Sequence, residues 1–268
     1  MKFTDLGLSK KTIQAIEEFG IKEPTTVQSD VIPSILQGKD VFTIAPQRCG
    51  KTTSYVFPLI DIISAQKKNI KNILIITSDS EQSVVVSDRL AIFNKYHEIN
   101  EATIKDKDED IDNEANVIIG SPDLLIELVG ENRIDLAKIN ILVVDDINLI
   151  KKNKQLDNLE KILELLPAEK QNIVYTNRRS KERQSILDKI LKAPEEIKVN
   201  KDKEQEASQP AVKKEKKEEK NTKKTVSHKR KAEVIEDKEA LELMKKYNSF
   251  NGKTPRFLLN AGVIVPNE

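Results

Sequence analysis

The sequence predicts an α/β fold over residues 1–199, a twisted parallel sheet with helices on both faces, followed by a charged tail. Three observations carry this. Short, predominantly apolar runs recur, such as ILII at 73–76 and INILVV at 139–144. They alternate with amphipathic stretches of helical length, the pattern of strands buried on both faces. The density of Ile, Leu and Val then stops at residue 199.

In chain order, Ser9 is placed to cap a helix through Phe19, with Ile13, Ile16 and Ala15 facing inward and Gly20 ending it. Thr25 is placed to cap a second helix to about Leu36. Strands are expected at 40–45, 72–77, 116–119, 140–144 and 171–175. Helices are expected at 51–66, 81–94, 122–129, 155–166 and 180–192. The run 97–114 holds eight Asp/Glu and two Lys and reads as a solvated loop.

Residues 200–231 contain almost no large apolar side chain, too few to offset the entropy of ordering, and read as a disordered Lys/Glu-rich linker. Residues 232–268 regain apolar content. Val234, Ile235, Leu241 and Met244 fall at helical spacing, and 249–268 reads either as a docking peptide for a protein partner or as a packed C-terminal strand.

The 268 residues are 38% apolar and 33% charged, with a net charge of +1. The single Cys49 excludes an intrachain disulfide framework, and His97 and His228 stand alone, so no zinc-type cluster is expected. The N-terminal MKFTDLGL lacks the apolar run of a signal peptide. No apolar run is long enough to cross a bilayer, so the expectation is a soluble, cytoplasmic protein with no membrane partner.

The motif that carries chemistry is APQRCGKT, residues 45–52, set between an expected strand and an expected helix. In a phosphate-binding loop, backbone N–H groups wrap the phosphates, a Lys reaches the terminal ones and a Ser or Thr hydroxyl meets magnesium. Gly50, Lys51 and Thr52 supply those parts, Ala45 opens the loop, and Arg48 and Cys49 stand where a flexible loop favours glycine.

Upstream lies GIKEPTTVQ at 20–28, with Phe3 further toward the N-terminus. With the phosphate loop, and in that order, these residues resemble the DEAD-box RNA helicases over about residues 1–199, the first of that family's two RecA-like domains. The resemblance implies ATP or ADP with Mg as cofactors. Gln28 would read the adenine edge, Phe3 would pack on the base, and Thr25 would tie the motif to the phosphate loop. Asp145 would hold magnesium partly through water, together with Thr52.

Other motifs depart from the family pattern. The name motif falls on DDIN, Asp145 to Asn148, so Asp146 replaces the Glu that polarises the attacking water. A carboxylate one methylene shorter is poorly placed for that task. The Ser-Ala-Thr motif is matched to Tyr175–Asn177. Ser80 and Leu124 stand where the family carries RNA-contacting Arg, and Asp79 and Asp123 add anions there. Residues 200–268 are too short to supply a second RecA-like domain with its arginine fingers.

The first expectation is therefore an ATP-binding, helicase-derived, RNA-associated protein with little hydrolysis of its own. The alternative is a non-catalytic scaffold that binds an RNA–protein particle through its basic tail and C-terminal peptide. A third is a helicase half that works with a separate second-domain chain.

Residues 213–231 carry ten Lys/Arg against three Asp/Glu, a net +7, so RNA affinity is expected to lie there. If roughly five of these cations engage single-stranded RNA, log affinity falls with log salt at a slope of about −3.5. Titrating the full chain and a chain ending at Asn200 with one RNA at two salt concentrations checks this. Equal affinities would remove the tail from RNA binding.

Overall fold

Most expected elements form where their caps and apolar patterns place them. The structure is a computed structural model that describes residues 1–65, 72–108, 111–112, 114–178, 184–191 and 193–199. The linker expected at 200–231, the segment 232–268 and the start of the helix expected at 180–192 lie outside the described residues.

Ser9 Oγ accepts the Thr12 N–H at 3.3 Å and opens α1 (Lys10–Glu18). Gly20 follows it at φ +89°, in the left-handed region that glycine enters without a Cβ clash. Thr25 opens α2 (Thr26–Leu36) through a reciprocal capping box with Gln28. The strands β1 (Val41–Ile44) and β2 (Asn72–Ile76) then alternate with α3 (Lys51–Ala65) and α4 (Ser80–Phe93). Further along come β4 (Val117–Gly120), α5 (Pro122–Gly130), β5 (Ile139–Val144), α7 (Leu156–Leu165), β6 (Gln171–Thr176) and α8 (Gln184–Ile190).

Among the described residues, two strands and one short α-helix were not anticipated. β3 (Glu101–Thr103) lies inside the acidic run read as a loop, and pairs in parallel with Val117–Ile119. Only Ala102 of its three residues is buried, so no apolar run marks it. β7 (Glu195–Lys198) buries only Ile197. α6 (Ile147–Lys152) is six residues long, opened by Asp146, whose carboxylate accepts the Asn148 N–H at 3.0 Å.

Among the described residues, seven strands run in the order β3-β4-β2-β5-β6-β1-β7, and every pairing between them is parallel. Alternation along each strand divides two cores. Ile141 and Val143 of β5 join the buried residues of α1–α4, while Leu142 and Val144 join those of α5–α8. Helices thus cover both faces, and the turns after β1, β2, β5 and β6 gather at the carboxyl edge, where ligands of such sheets bind.

Phe57 of α3 is fully buried, with Phe3 edge-on at 5.9 Å and Phe93 edge-on at 4.7 Å between ring centres. It couples the N-terminal turn to α3 and α4. Phe57→Ala is expected to lower stability by about 3–5 kcal/mol in urea denaturation. Truncation of the half-exposed Leu165 is expected to stay within about 0.5 kcal/mol.

Candidate functional site

The site is assembled from three turns and the start of α2. The loop after β1 makes two left-handed steps, Arg48 at φ +65° and Gly50 at φ +84°. At Gly50 the conformation and the space both demand glycine. A Cβ there would meet Gln28 Nε2 at 2.9 Å and Thr25 Oγ1 at 3.0 Å. Arg48 holds its step with a full side chain, at a cost of roughly 1–2 kcal/mol, and that side chain is exposed. Cys49 is buried, its Sγ 3.0 Å from the Pro46 carbonyl.

Thr25 and Gln28 bind this loop directly. Thr25 Oγ1 donates to the Cys49 carbonyl at 2.9 Å. Gln28 Oε1 accepts the Thr25 N–H at 2.9 Å, and its Nε2 donates to Thr53 Oγ1 at 2.6 Å. Gln28 is only 3% exposed, and its amide keeps one N–H and one lone pair, the hydrogen-bonding complement of a base edge having one acceptor and one donor. Phe3 is placed differently from the base-stacking role implied for it. Its ring is only 4% exposed and packs on Phe57, so here it is a core group.

Across the loop stand the carboxylates after β5. Lys51 Nζ reaches Asp146 Oδ2 at 3.1 Å, with side-chain exposures of only 11% and 5%. Asp145 is buried, and Gln82 Nε2 donates to its Oδ2 at 2.8 Å. Burial pushes the Asp145 carboxyl above the usual carboxylate range, against the pull of Gln82 and Lys51. The fully buried Tyr55 hydroxyl neighbours Asp145 and Thr52 yet makes no hydrogen bond of normal geometry. Burial first, then the Asp145 charge, raises the pKa of that hydroxyl.

The donor set suits magnesium. Asp145 and Thr52 offer hard oxygens, and no group of three His, Cys, Asp or Glu gathers among the described residues. Magnesium takes one or two protein oxygens and completes its shell with phosphate and water, unlike an all-protein cage. The buried Tyr55 hydroxyl beside Asp145 and Thr52, without a hydrogen bond of good geometry, adds a third oxygen at the same spot.

The coupling to β6 starts one residue later than the sequence match placed it. Asn148 Nδ2 contacts Thr176 Oγ1, Asn177 Oδ1 at 2.6 Å and the Arg178 carbonyl at 3.2 Å. Tyr175 points to the other face, its hydroxyl 2.7 Å from Ser54 Oγ. The motif in contact is therefore Thr176–Arg178, not Tyr175–Asn177. An amide at 148 donates to the Arg178 carbonyl, which a carboxylate cannot do.

Positions of the RNA-contacting motifs have other tasks. Asp79 caps α4, accepting the Gln82 N–H at 2.8 Å, and Asn153 Nδ2 donates to the Ser78 carbonyl at 2.8 Å. Asp123 accepts from Asn158 Nδ2 at 2.8 Å. Tyr55 and Thr53 escaped sequence reasoning because each belongs to a helix face with no motif, and Gln82 because the motif matched at Ser78–Gln82 gave it no role at the phosphate site. Only the geometry after β5 brings Tyr55 and Gln82 to Asp145.

A parallel sheet with a phosphate loop after its first strand and an acidic pair after β5 defines a RecA-like phosphate-loop domain. The sequence profile of the DEAD/DEAH box helicase family matches residues 25–183, and the chain belongs to that family. The DEAD-box ATP-dependent RNA helicase RhpA of Helicobacter pylori (strain B128) is 27% identical over 208 residues, covering 74% of this chain and 41% of the relative. The ATP-dependent RNA helicase CshA of Limosilactobacillus reuteri is 27% identical over 205 residues, with the same coverage. The chain thus spans about two fifths of the length of these curated relatives. A DEAD box protein from the hyperthermophile Methanococcus jannaschii superposes with a TM-score of 0.70 at 23% identity, over 75% of this chain and 56% of that one. A hypothetical ATP-dependent RNA helicase from Sulfolobus tokodaii gives 0.65 at 25% identity, over 72% and 57%.

Two stability measurements follow from the strain and burial here. Arg48→Gly is expected to raise stability by up to about 1 kcal/mol, since relief of the left-handed step exceeds the added freedom of the unfolded chain. With its carboxyl raised, native Asp145 holds its proton to a higher pH than the unfolded chain does. Stability is therefore lost as pH rises from the unfolded carboxylate pKa through the folded one. Asp145→Asn is expected to remove that loss and raise the urea midpoint at neutral pH. A midpoint that stays put would contradict it.

Proposed function

We propose that the chain is an ATP-binding, helicase-derived domain with an RNA-associated role and little hydrolysis of its own. The observation that carries this is the attachment of Thr25 and Gln28 to Gly50, Cys49 and Thr53 of the phosphate loop. A loop braced at its glycine keeps its shape for phosphate, and the brace leaves part of the Gln28 amide for the adenine edge. Lys51 and the loop would hold the phosphates, and Thr52 and Asp145 the magnesium, which would supply charge neutralisation there. The RhpA and CshA relatives, described as ATP-dependent RNA helicases, support the ATP and RNA parts of this reading.

The poor hydrolysis follows from Asp146. Its carboxylate is committed at both ends, to Lys51 Nζ and to the Asn148 N–H. A general base must reach the water it polarises, and this one starts a methylene short and already engaged. Asn148, in place of a carboxylate, further alters the coupling to β6.

One observation favours the scaffold reading instead. The Lys51 ammonium is already neutralised by Asp146 inside the protein, so an arriving phosphate must displace a buried partner.

Calorimetry with magnesium and adenine nucleotides distinguishes the two readings. Binding of ADP and ATP, in preference to guanine nucleotides, is expected, and its absence at millimolar nucleotide would leave the scaffold. Lys51→Ala strands a buried Asp146 charge and is expected to destabilise the fold as well. Lys51→Gln keeps an N–H for Asp146 and isolates the loss of phosphate binding. RNA-stimulated phosphate release that disappears in Asp145→Ala would contradict the poor hydrolysis.

A further inference from the structure

Among the described residues Asp145 makes no ion pair, because the nearby Lys51 ammonium is held by Asp146 at 3.1 Å. Its charge is left for a ligand. One of its two oxygens is not. Gln82 Nε2 donates to Asp145 Oδ2 at 2.8 Å, and no other side chain among the described residues gives this carboxylate a hydrogen bond of normal geometry.

The amide comes from a fixed turn. Gln82 is the third residue of α4, and its backbone N–H donates to Asp79 Oδ1 at 2.8 Å. Thr77 Oγ1 donates to the Asp79 carbonyl at 3.1 Å, and Asn153 Nδ2 donates to the Ser78 carbonyl at 2.8 Å. Asp145 is tied to the same end of β2, its N–H donating to the Ile76 carbonyl at 3.0 Å. Donor and acceptor are therefore both anchored at the end of one strand. The contact between them has little freedom to turn.

A carboxylate meets a cation through one oxygen or through both. Calcium takes about six to eight oxygens, in flexible geometry, and often both from one carboxylate. Magnesium is smaller, takes about six in a strict octahedron, and keeps several waters, so one carboxylate oxygen suffices. An oxygen already bound to an N–H is a poorer ligand, and the bond resists the rotation that two-oxygen binding needs.

Resting on the nucleotide reading above, we propose that Gln82 sets the metal specificity of the site. By holding Asp145 Oδ2 it leaves Oδ1 as the single free carboxylate oxygen for the cation that accompanies the nucleotide, and so favours magnesium over calcium. Gln82 is a positioning residue, since it acts through Asp145. A neutral amide does this without cancelling the carboxylate charge, whereas a Lys or Arg at that place would compete with the cation.

Calorimetry on the full chain tests this, with a non-hydrolysable β,γ-imido analogue of ATP titrated once in magnesium and once in calcium. Wild-type protein is expected to bind the analogue more tightly with magnesium. Gln82→Met keeps the length of the side chain and loses the N–H, which frees both oxygens of Asp145. It is expected to shrink the magnesium-to-calcium affinity ratio about tenfold, chiefly by tightening the calcium complex. Gln82→Lys keeps a donor for Oδ2 but adds charge, and is expected to weaken both complexes while preserving the ratio. Retained binding in magnesium also reports that each variant is folded. Equal affinities in the wild type, an unchanged ratio in Gln82→Met or a collapsed one in Gln82→Lys overturns the inference and leaves nucleotide binding standing. Wild-type protein that binds the analogue with neither cation overturns the nucleotide reading and this inference with it.

Discussion

The arrangement of the site depends on how closely α2 approaches Gly50. A side chain there would have to hold a strained φ of +84° and displace the Gln28 amide and the Thr25 hydroxyl, which lie 2.9 and 3.0 Å from where a Cβ would stand. That contact fixes the phosphate loop from outside and sets the orientation of α3, which begins at the next residue. α3 then carries Phe57 into the aromatic cluster and Asp61 to the N-terminus of α1. There Asp61 accepts from the Ser9 N–H at 2.6 Å and from Ser9 Oγ at 2.7 Å. A loop, three helices and the N-terminal turn are thus braced through one glycine. The same geometry explains why Arg48 can hold its strained step: the surrounding hydrogen bonds over-determine the loop.

Charge in the site is balanced internally. Lys51 and Asp146 neutralise each other out of water, and Asp145 is held by a neutral amide and by burial. A buried pair of this kind contributes little net stability, but loss of one partner is costly. The arrangement favours a site that stays formed without a ligand and exchanges partners when a phosphate and a cation arrive together. Neither charged species would be well accommodated alone, since each would leave one protein charge unmatched.

Much of the fold was legible because its central strands are buried on both faces and so write continuous apolar runs, as at 73–76 and 139–144. The edge strands escaped for the converse reason. Glu101–Thr103 and Glu195–Lys198 bury one side chain each, and such strands carry no more apolar pattern than a loop. Within the candidate site, Thr25, Gln28, Gly50, Lys51, Thr52, Asp145 and Asp146 could be named from the sequence because each sits in a contiguous motif. Tyr55 and Gln82 were not, since their contact with Asp145 arises only when β2 and β5 become neighbours. The frame of the β6 motif slipped by one residue because alternation of faces, not composition, separates Tyr175 from Thr176.

The position of β1 in the sheet bears on how the chain acquires this structure during synthesis. Val41 pairs with Ile173 on one side and with Glu195 on the other, so the strand that leads into the phosphate loop waits roughly 130 residues for its first neighbour. Until then its apolar edge and the loop's backbone groups have no sheet to join. A ribosome paused before β6 would display a nascent chain with β2 and β4 able to pair and β1 still open. This unpaired interval is when chaperones would have the most to hold, and when the chain is most exposed to aggregation.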